Sequence, residues 1–378
     1  MAKGYATSAD ILTRTRDGQD LNAVWDSYQQ ALQDFNSART PLADLLSFGV
    51  TNVIEDIVQP GTERFEEATE FGIPVSIRPQ PVVTQRAFPF KWYDIRASYT
   101  FQFLAGGPNQ LGGASTQQLD AILQQVMEAD NALQFDLVMK ALFNNVNRTA
   151  TIGTTPYTVT ALYNADGSYI PPYKGLTFTP GSHTHYINTG AAAIDSTDLT
   201  DAAFLVEEHG FTRQNGYTVI LLMNKAESDV VKTFRRGVAN NNAQTAVYDF
   251  IPAQGTGFQL PVGWEVAAGS QPANTFAGLS VVGSYGPYLI VEDPQIPAGY
   301  FVAAASQGRS SNLNIVGLRE SENAALRGLV LRPGNNSNYP LIDSFFIRGL
   351  GSGVAQRGAA AIVRVSASAY AVPAAFVW

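Results

Sequence analysis

Chemistry in this 378-residue chain could reside first in its three histidines. His183-Thr184-His185 alternates in the manner of an extended segment. That would put both imidazoles on one side, and two neutral ring nitrogens there are half of a transition-metal site. Glu207, Glu208 and His209 are the residues that could complete it. The same spacing also describes two polar loop residues making ordinary hydrogen bonds, and a lone H-x-H pair is too unspecific to assign a metal. Gly349-Leu350-Gly351-Ser352-Gly353 has the look of a phosphate loop. It lacks the remaining glycine of the dinucleotide fingerprint and any Gly-Lys-Ser, and it falls between two β-capable stretches, where a hairpin turn explains it. Val282-Gly283-Ser284-Tyr285-Gly286 misses the first glycine of a nucleophile elbow. Glu66-Glu67 reads as solvated surface rather than an acid-base pair. Asn147-Arg148-Thr149 and Asn335-Asn336-Ser337 match the glycosylation pattern, which has no meaning without secretion. With no cysteine in the chain, thiolate sites and cysteine nucleophiles are excluded together. No catalytic, cofactor-binding or metal-ligating residue is assigned, and the chain reads as a non-enzyme. A metalloenzyme using His183 and His185 is the alternative from a different class.

The elements that would have to position such groups are organised around one long helix, from about Thr116 to Asn145. Ser115 and Gln118 form a capping box, the serine oxygen taking one orphan N–H and the glutamine reaching back to another. Leu119, Ile122, Leu123, Val126, Ala129, Leu133, Leu137 and Ala141 then recur at three- and four-residue spacing, while Gln124, Gln125, Glu128, Asn131 and Gln134 fall on other faces. Phe135, Val138, Met139, Leu142 and Phe143 widen the apolar face toward the end. At 1.5 Å per residue the helix would span roughly 45 Å.

Before it, Leu21, Val24, Trp25, Tyr28, Leu32 and Phe35 mark one face of a helix, and Thr40-Pro41 opens a short one through Phe48. Residues 50–104 read as strand, broken at Gly72-Ile73-Pro74 and punctuated by Pro74, Pro79, Pro81 and Pro89, as an open-edged ribbon would be. Ile95, Ala97, Tyr99, Phe101 and Phe103 alternate as a half-buried strand. After the long helix come loops and short strands. Then follow a helix capped by Thr197 or Asp198 and ending at Gly210, the fully apolar strand Val219-Ile220-Leu221-Leu222-Met223, and a helix capped by Asn224 running to Arg236. Residues 237–260, with Asn240-Asn241-Asn242, read as a long polar loop that is functional or ordered by a partner. Short strands are expected near 263–266, 288–291, 300–304 and 313–319. A terminal hairpin is expected with arms at 341–350 and 359–368.

Composition sets the class. Hydrophobic residues make up 45 % of the chain, enough for real cores, while only 15 % are charged, below the usual quarter. Either subunit contacts cover much of the surface or the chain is a large β-rich monomer. The net charge of -8 gives no global basic footprint for nucleic acid. Residues 1–19 carry charges and no apolar segment, so no signal peptide is read there, and no run is long and apolar enough to span a membrane.

The order of these parts resembles the major capsid proteins of tailed bacteriophages, the Hong Kong ninety-seven type of shell fold, over essentially the whole chain. The most similar stretches are Phe65-Glu66-Glu67-Ala68-Thr69-Glu70-Phe71-Gly72, residues 112–145, and the end from Tyr339-Pro340-Leu341 through Phe346-Ile347-Arg348-Gly349 to Tyr370-Ala371-Val372-Pro373. The resemblance implies an α+β fold. Its parts would be an N-terminal arm (1–52), an E-loop β-hairpin (53–95), a peripheral domain with a spine helix at 116–145 (96–188), an axial α/β domain (189–334) and a C-terminal hairpin returning to the core (335–378). The implied function is structural: self-assembly into hexamers and pentamers of an icosahedral shell around double-stranded DNA, held non-specifically. Portal, scaffolding and decoration proteins would be further partners, no membrane is involved, and the protein would be found in the virion, or in the host cytoplasm during assembly. The alternative within the fold is an encapsulin-type nanocompartment enclosing a cargo enzyme. Some members cross-link an E-loop lysine to a neighbour's asparagine. Here residues 53–90 hold only Arg64, Arg78 and Arg86 as cations, leaving Lys91 as the candidate, with acceptors at Asn335, Asn336 and Asn338.

Overall fold

The structure, a computed structural model, describes residues 13–37, 40–58, 83–106, 113–254, 272–332 and 344–378. The ribbon tip Gly72-Ile73-Pro74, Glu66-Glu67, the strand expected near 263–266 and Asn335, Asn336 and Asn338 lie outside these residues. The chain divides into two compact units. One comprises Met1–Thr40, Phe90–Asp136 and Arg319–Gly351, and the other Pro41–Pro89, Leu137–Leu318 and Ser352–Trp378.

In the first unit, the helix Leu21–Ser37 buries Leu21, Val24, Trp25, Tyr28 and Leu32 in one cluster with Leu119, Leu123 and Val126 of the long helix and with Tyr99, Leu329, Leu331 and Phe346. Each such buried side chain contributes about 1.5–3 kcal/mol over its exposed state. The long helix runs Thr116–Phe143, 28 residues or about 42 Å. Its capping box forms as the spacing predicts: Gln118 N–H donates to Ser115 Oγ (3.4 Å) and Ser115 N–H to Gln118 Oε1 (3.0 Å). Gln134 departs from the expected pattern. It is only 3 % exposed, and its Nε2 donates to the buried Asp130 (2.7 Å), whose other oxygen lies 3.4 Å from Arg348.

Two strand expectations are corrected here. The alternation ends at Tyr99, where the strand Lys91–Tyr99 stops and Phe101–Ala105 turns helical. Thr100 causes the switch: its hydroxyl accepts the Phe103 N–H (3.1 Å) and its carbonyl the Leu104 N–H (3.0 Å), as an N-cap does. The terminal hairpin does not exist. The strand Ser344–Val354 runs straight through the glycines whose spacing predicts a turn, and pairs antiparallel with Lys91–Tyr99 on one side and Leu329–Arg332 on the other. Gly349 is a packing glycine, since a Cβ there would stand 2.5 Å from Phe90 Cζ and 2.7 Å from Trp92.

The second unit is built on an eight-stranded sheet ordered Thr275–Phe276, Leu279–Tyr285, Tyr288–Glu292, Thr218–Met223, Tyr300–Ser306, Ala360–Arg364, Tyr186–Asn188, with Phe250–Pro252 paired to Leu279–Tyr285 off that path. Thr218–Met223 is central, as its unbroken apolar run requires. It lies parallel to Tyr288–Glu292 and antiparallel to Tyr300–Ser306. The second arm of the supposed hairpin, Ala360–Arg364, belongs here between Tyr300–Ser306 and Tyr186–Asn188. Pro41–Leu46 is helical, but Ser47–Val50 is already strand.

The helix Ser196–Glu207 is capped by Asp195 rather than by Thr197 or Asp198. Asp195 accepts both of their N–H groups while Asp198 accepts the Asp195 N–H (2.8 Å). Asn224 caps Lys225–Val231 as expected, and that helix stops short of Arg236 as Thr233 and Phe234 close tight turns. The asparagine-rich loop is ordered by its own chain: Asn240 accepts the Ser196 N–H (3.2 Å), Asn241 donates to Ile194 O (2.8 Å) and Asn242 to Asp195 (2.9 Å). The unit also holds two antiparallel pairs, Ile54–Val58 with Val83–Ala87 and Arg148–Ile152 with Thr155–Val159. Among the described residues no helix is long and apolar enough to cross a membrane.

Candidate metal centre

Two elements of the second unit bring the three histidines together. His183 and His185 precede the strand Tyr186–Asn188, where His185 N–H donates to Tyr163 O (2.7 Å) and its carbonyl accepts the Ile362 N–H (2.8 Å). Their alternation puts both rings on one side, Nε2 to Nε2 at 3.2 Å. Glu208 and His209 follow the last turn of the helix Ser196–Glu207. Gly210, at φ +91°, turns the chain away beyond them. His209 Nε2 lies 2.8 Å from His183 Nε2, and Glu208 Oε1 lies 3.7 Å from His183 Nε2 and 4.0 Å from His209 Nε2. Rings wall the cluster: Phe178 stacks on His209 at 4.2 Å between centroids, and Tyr163 stands 5.2–6.0 Å from all three imidazoles. Gly358 lets the backbone pass, since a Cβ there would meet His209 Cγ at 2.9 Å.

The electrostatics favour neutral rings. Burial pushes His183 below its usual value, takes His185 to about 3 and His209 to about 2, and raises Glu208 to about 7. His185 donates Nδ1–H to Ala360 O (2.6 Å), which leaves its Nε2 as a bare lone pair facing the cluster. With every ring neutral, one proton on or toward His183 Nε2 satisfies only one of its two close nitrogen neighbours, and the other contact is left unmade. Glu208 Oε1 is buried with no hydrogen-bond partner. His183, His185 and His209 together can hold a metal ion. The H-x-H pair was legible, and Glu208 and His209 do join it. Glu207 is the helix's last residue, and its carboxyl is raised by burial, with a hydrogen bond from Tyr288 acting in the opposite direction.

A second polar centre carried no sequence motif. Arg357, 1 % exposed, donates to Ala161 O (2.7 Å), Leu162 O (3.2 Å), Asn164 Oδ1 (3.0 Å), Asp166 Oδ2 (2.8 Å) and Ser168 Oγ, and covers the Tyr163 ring at 4.8 Å. Burial alone would raise Asp166. Hydrogen bonds from Ser168, Asn147 and Arg357 outweigh it and hold that carboxyl well below the carboxylate range. Of the remaining motifs, Val282-Gly283-Ser284-Tyr285 lies inside the strand Leu279–Tyr285. Gly349, Gly351 and Gly353 lie in the strand Ser344–Val354, so neither stretch makes a ligand-binding turn.

No protein-family model matches the chain, and no curated protein matches its sequence. Among solved structures it is similar to a chain of Mycobacterium phage Patience at 42 % identity, covering 100 % of this chain and 97 % of that one, with a TM-score of 0.72. Fainter likenesses are to the capsid of a native GTA particle (13 % identity, 87 % and 91 % covered, TM-score 0.45) and to the SrpI encapsulin of Synechococcus elongatus PCC 7942 (10 %, 88 % and 89 %, 0.40).

Proposed function

This chain belongs to the major capsid proteins of tailed bacteriophages, and on that premise we propose that its copies close into hexamers and pentamers of an icosahedral shell around packaged double-stranded DNA. The observation that carries the reading is the 42 % identity sustained over the full chain. The role is structural, and we assign the chain no catalytic step.

Surface chemistry supports assembly. Ile54, Val58 and Val83 on the Ile54–Val58 and Val83–Ala87 pair are 40–58 % exposed, and a two-stranded ribbon is marginal in water by itself. Trp92, Phe204, Val238 and Val247 are also about half exposed. Copies of the chain would cover them. In this reading residues 1–52 are the arm, 53–95 the E-loop, 96–188 the peripheral domain, 189–334 the axial domain and 335–378 the returning segment. With a net charge of -8, the shell would hold DNA by confinement rather than by ion pairing. Portal, scaffolding and decoration proteins would meet it during assembly in the host cytoplasm.

Electron microscopy and sedimentation of the full-length expressed protein test the proposal. Closed shells of uniform size are expected, and from infected cells these should contain nuclease-protected DNA. A stable monomer at high concentration, or shells filled with a protein cargo and no DNA, would overturn it.

A further inference from the structure

We propose that His183, His185, His209 and Glu208 bind one divalent transition-metal ion of the zinc class in a closed tetrahedral site, which clips the 163–185 segment to the end of the helix Ser196–Glu207. Geometry carries the assignment. Ligand nitrogens about 2.0–2.1 Å from a tetrahedral zinc stand about 3.3 Å apart. Two of the Nε2 separations are 2.8 and 3.2 Å, and one ring nitrogen from each of the three histidines lies within 4.8 Å of the others. Glu208 Oε1, at 3.7 and 4.0 Å from two of them, reaches the fourth corner with a small rotation of its side chain.

Without a cation the cluster is badly satisfied, because neutral imidazoles leave one of the two close Nε2 contacts without a hydrogen bond and the Glu208 oxygen is buried and unpartnered. One dication answers both defects. The surroundings are those of a ligand shell: His185 donates its other ring nitrogen to the Ala360 carbonyl, which fixes Nε2 as the ligating atom. Glu208 and His209 stand just past the carbonyl end of the helix, where its partial negative charge favours a cation. Three imidazoles with one carboxylate select zinc-like ions over magnesium or calcium, which prefer all-oxygen shells. Four protein ligands leave no open position, so the site is structural.

The test uses the full-length protein, stripped with chelator, reloaded with Zn²⁺ alone or Co²⁺ alone and desalted. The wild type should retain about one zinc per chain, and its cobalt form should show the intense visible ligand-field bands of a tetrahedral centre, which zinc displaces. Glu208→Gln should weaken zinc binding by at least about tenfold, and His183→Gln should abolish stoichiometric retention. The wild-type cobalt spectrum decides the matter even if a variant fails to fold. Octahedral cobalt spectra, sub-stoichiometric zinc in the wild type, or full retention in a folded His183→Gln would each overturn the site.

Discussion

Arg357 is a buried cation hydrogen-bonded on several sides. Replacing it with methionine should therefore leave two buried carbonyls without their donor and remove the Asp166 carboxylate's ion partner, leaving that carboxylate the hydrogen bonds from Asn147 and Ser168. Breaking a fully buried pair costs about 3–5 kcal/mol, and the effect here should fall at or below that because the Asp166 side chain is 17 % exposed. Chemical denaturation of Arg357→Met against wild type measures it. The depressed Asp166 carboxyl adds a pH dependence. A group whose folded pKa lies below its unfolded value contributes fully above the unfolded value, about 3.9, and loses that contribution as pH falls below it. The stability gap between wild type and Asp166→Asn should be constant from neutral pH to about 5 and shrink steadily below about 4. A gap that widens with acid would contradict the assignment. At this scale the sequence revealed little. His183 and His185 announce themselves by alternation and His209 was legible as a partner that could complete them, but the 26 residues that separate it from His183 are closed only because a helix end and a strand entrance are folded together. Arg357 looks like any surface arginine until Tyr163 and the 161–168 segment enclose it.

Among the elements, the long helix offers the sharpest test. Val126 is fully buried in the first unit's core, and Val126→Asp forces a carboxylate into it, with an expected cost of several kcal/mol and loss of particles. Gln124→Glu, on the exposed side, should assemble normally. Particle yield by sedimentation separates the two. Gly349→Ala should also destabilise, because Phe90 and Trp92 occupy the space a methyl group needs, and a stability within about 0.5 kcal/mol of wild type would refute that packing. The helix, its cap and the Thr218–Met223 strand were legible because periodicity and burial agree there. Ser344–Val354 was not, since its glycines carry the local signature of a turn and it takes pairing with distant strands, with Phe90 and Trp92 packed over Gly349, to make them strand. Thr100 overrode an alternating pattern in the same way, by a single cap whose strength the pattern does not register.

At the scale of the whole molecule, the architecture was legible as an order of parts rather than as any motif, because shell proteins distribute their function over faces that periodicity marks only singly. Lys91 begins the strand Lys91–Tyr99, in register with Leu350, so it is tied to its own sheet rather than carried on a reaching loop. Mature particles boiled in detergent should accordingly run as one band near 40.7 kDa. A covalent ladder that vanishes in Lys91→Arg would refute this. The order of strands in the larger sheet has a further effect, on timing. Tyr186–Asn188 pairs with Ala360–Arg364, which also closes the free side of Tyr300–Ser306. A chain still on the ribosome therefore carries an incomplete sheet until its final strand emerges. Nascent copies on one messenger, crowded side by side, would present unfinished faces to each other until Ala360–Arg364 has emerged.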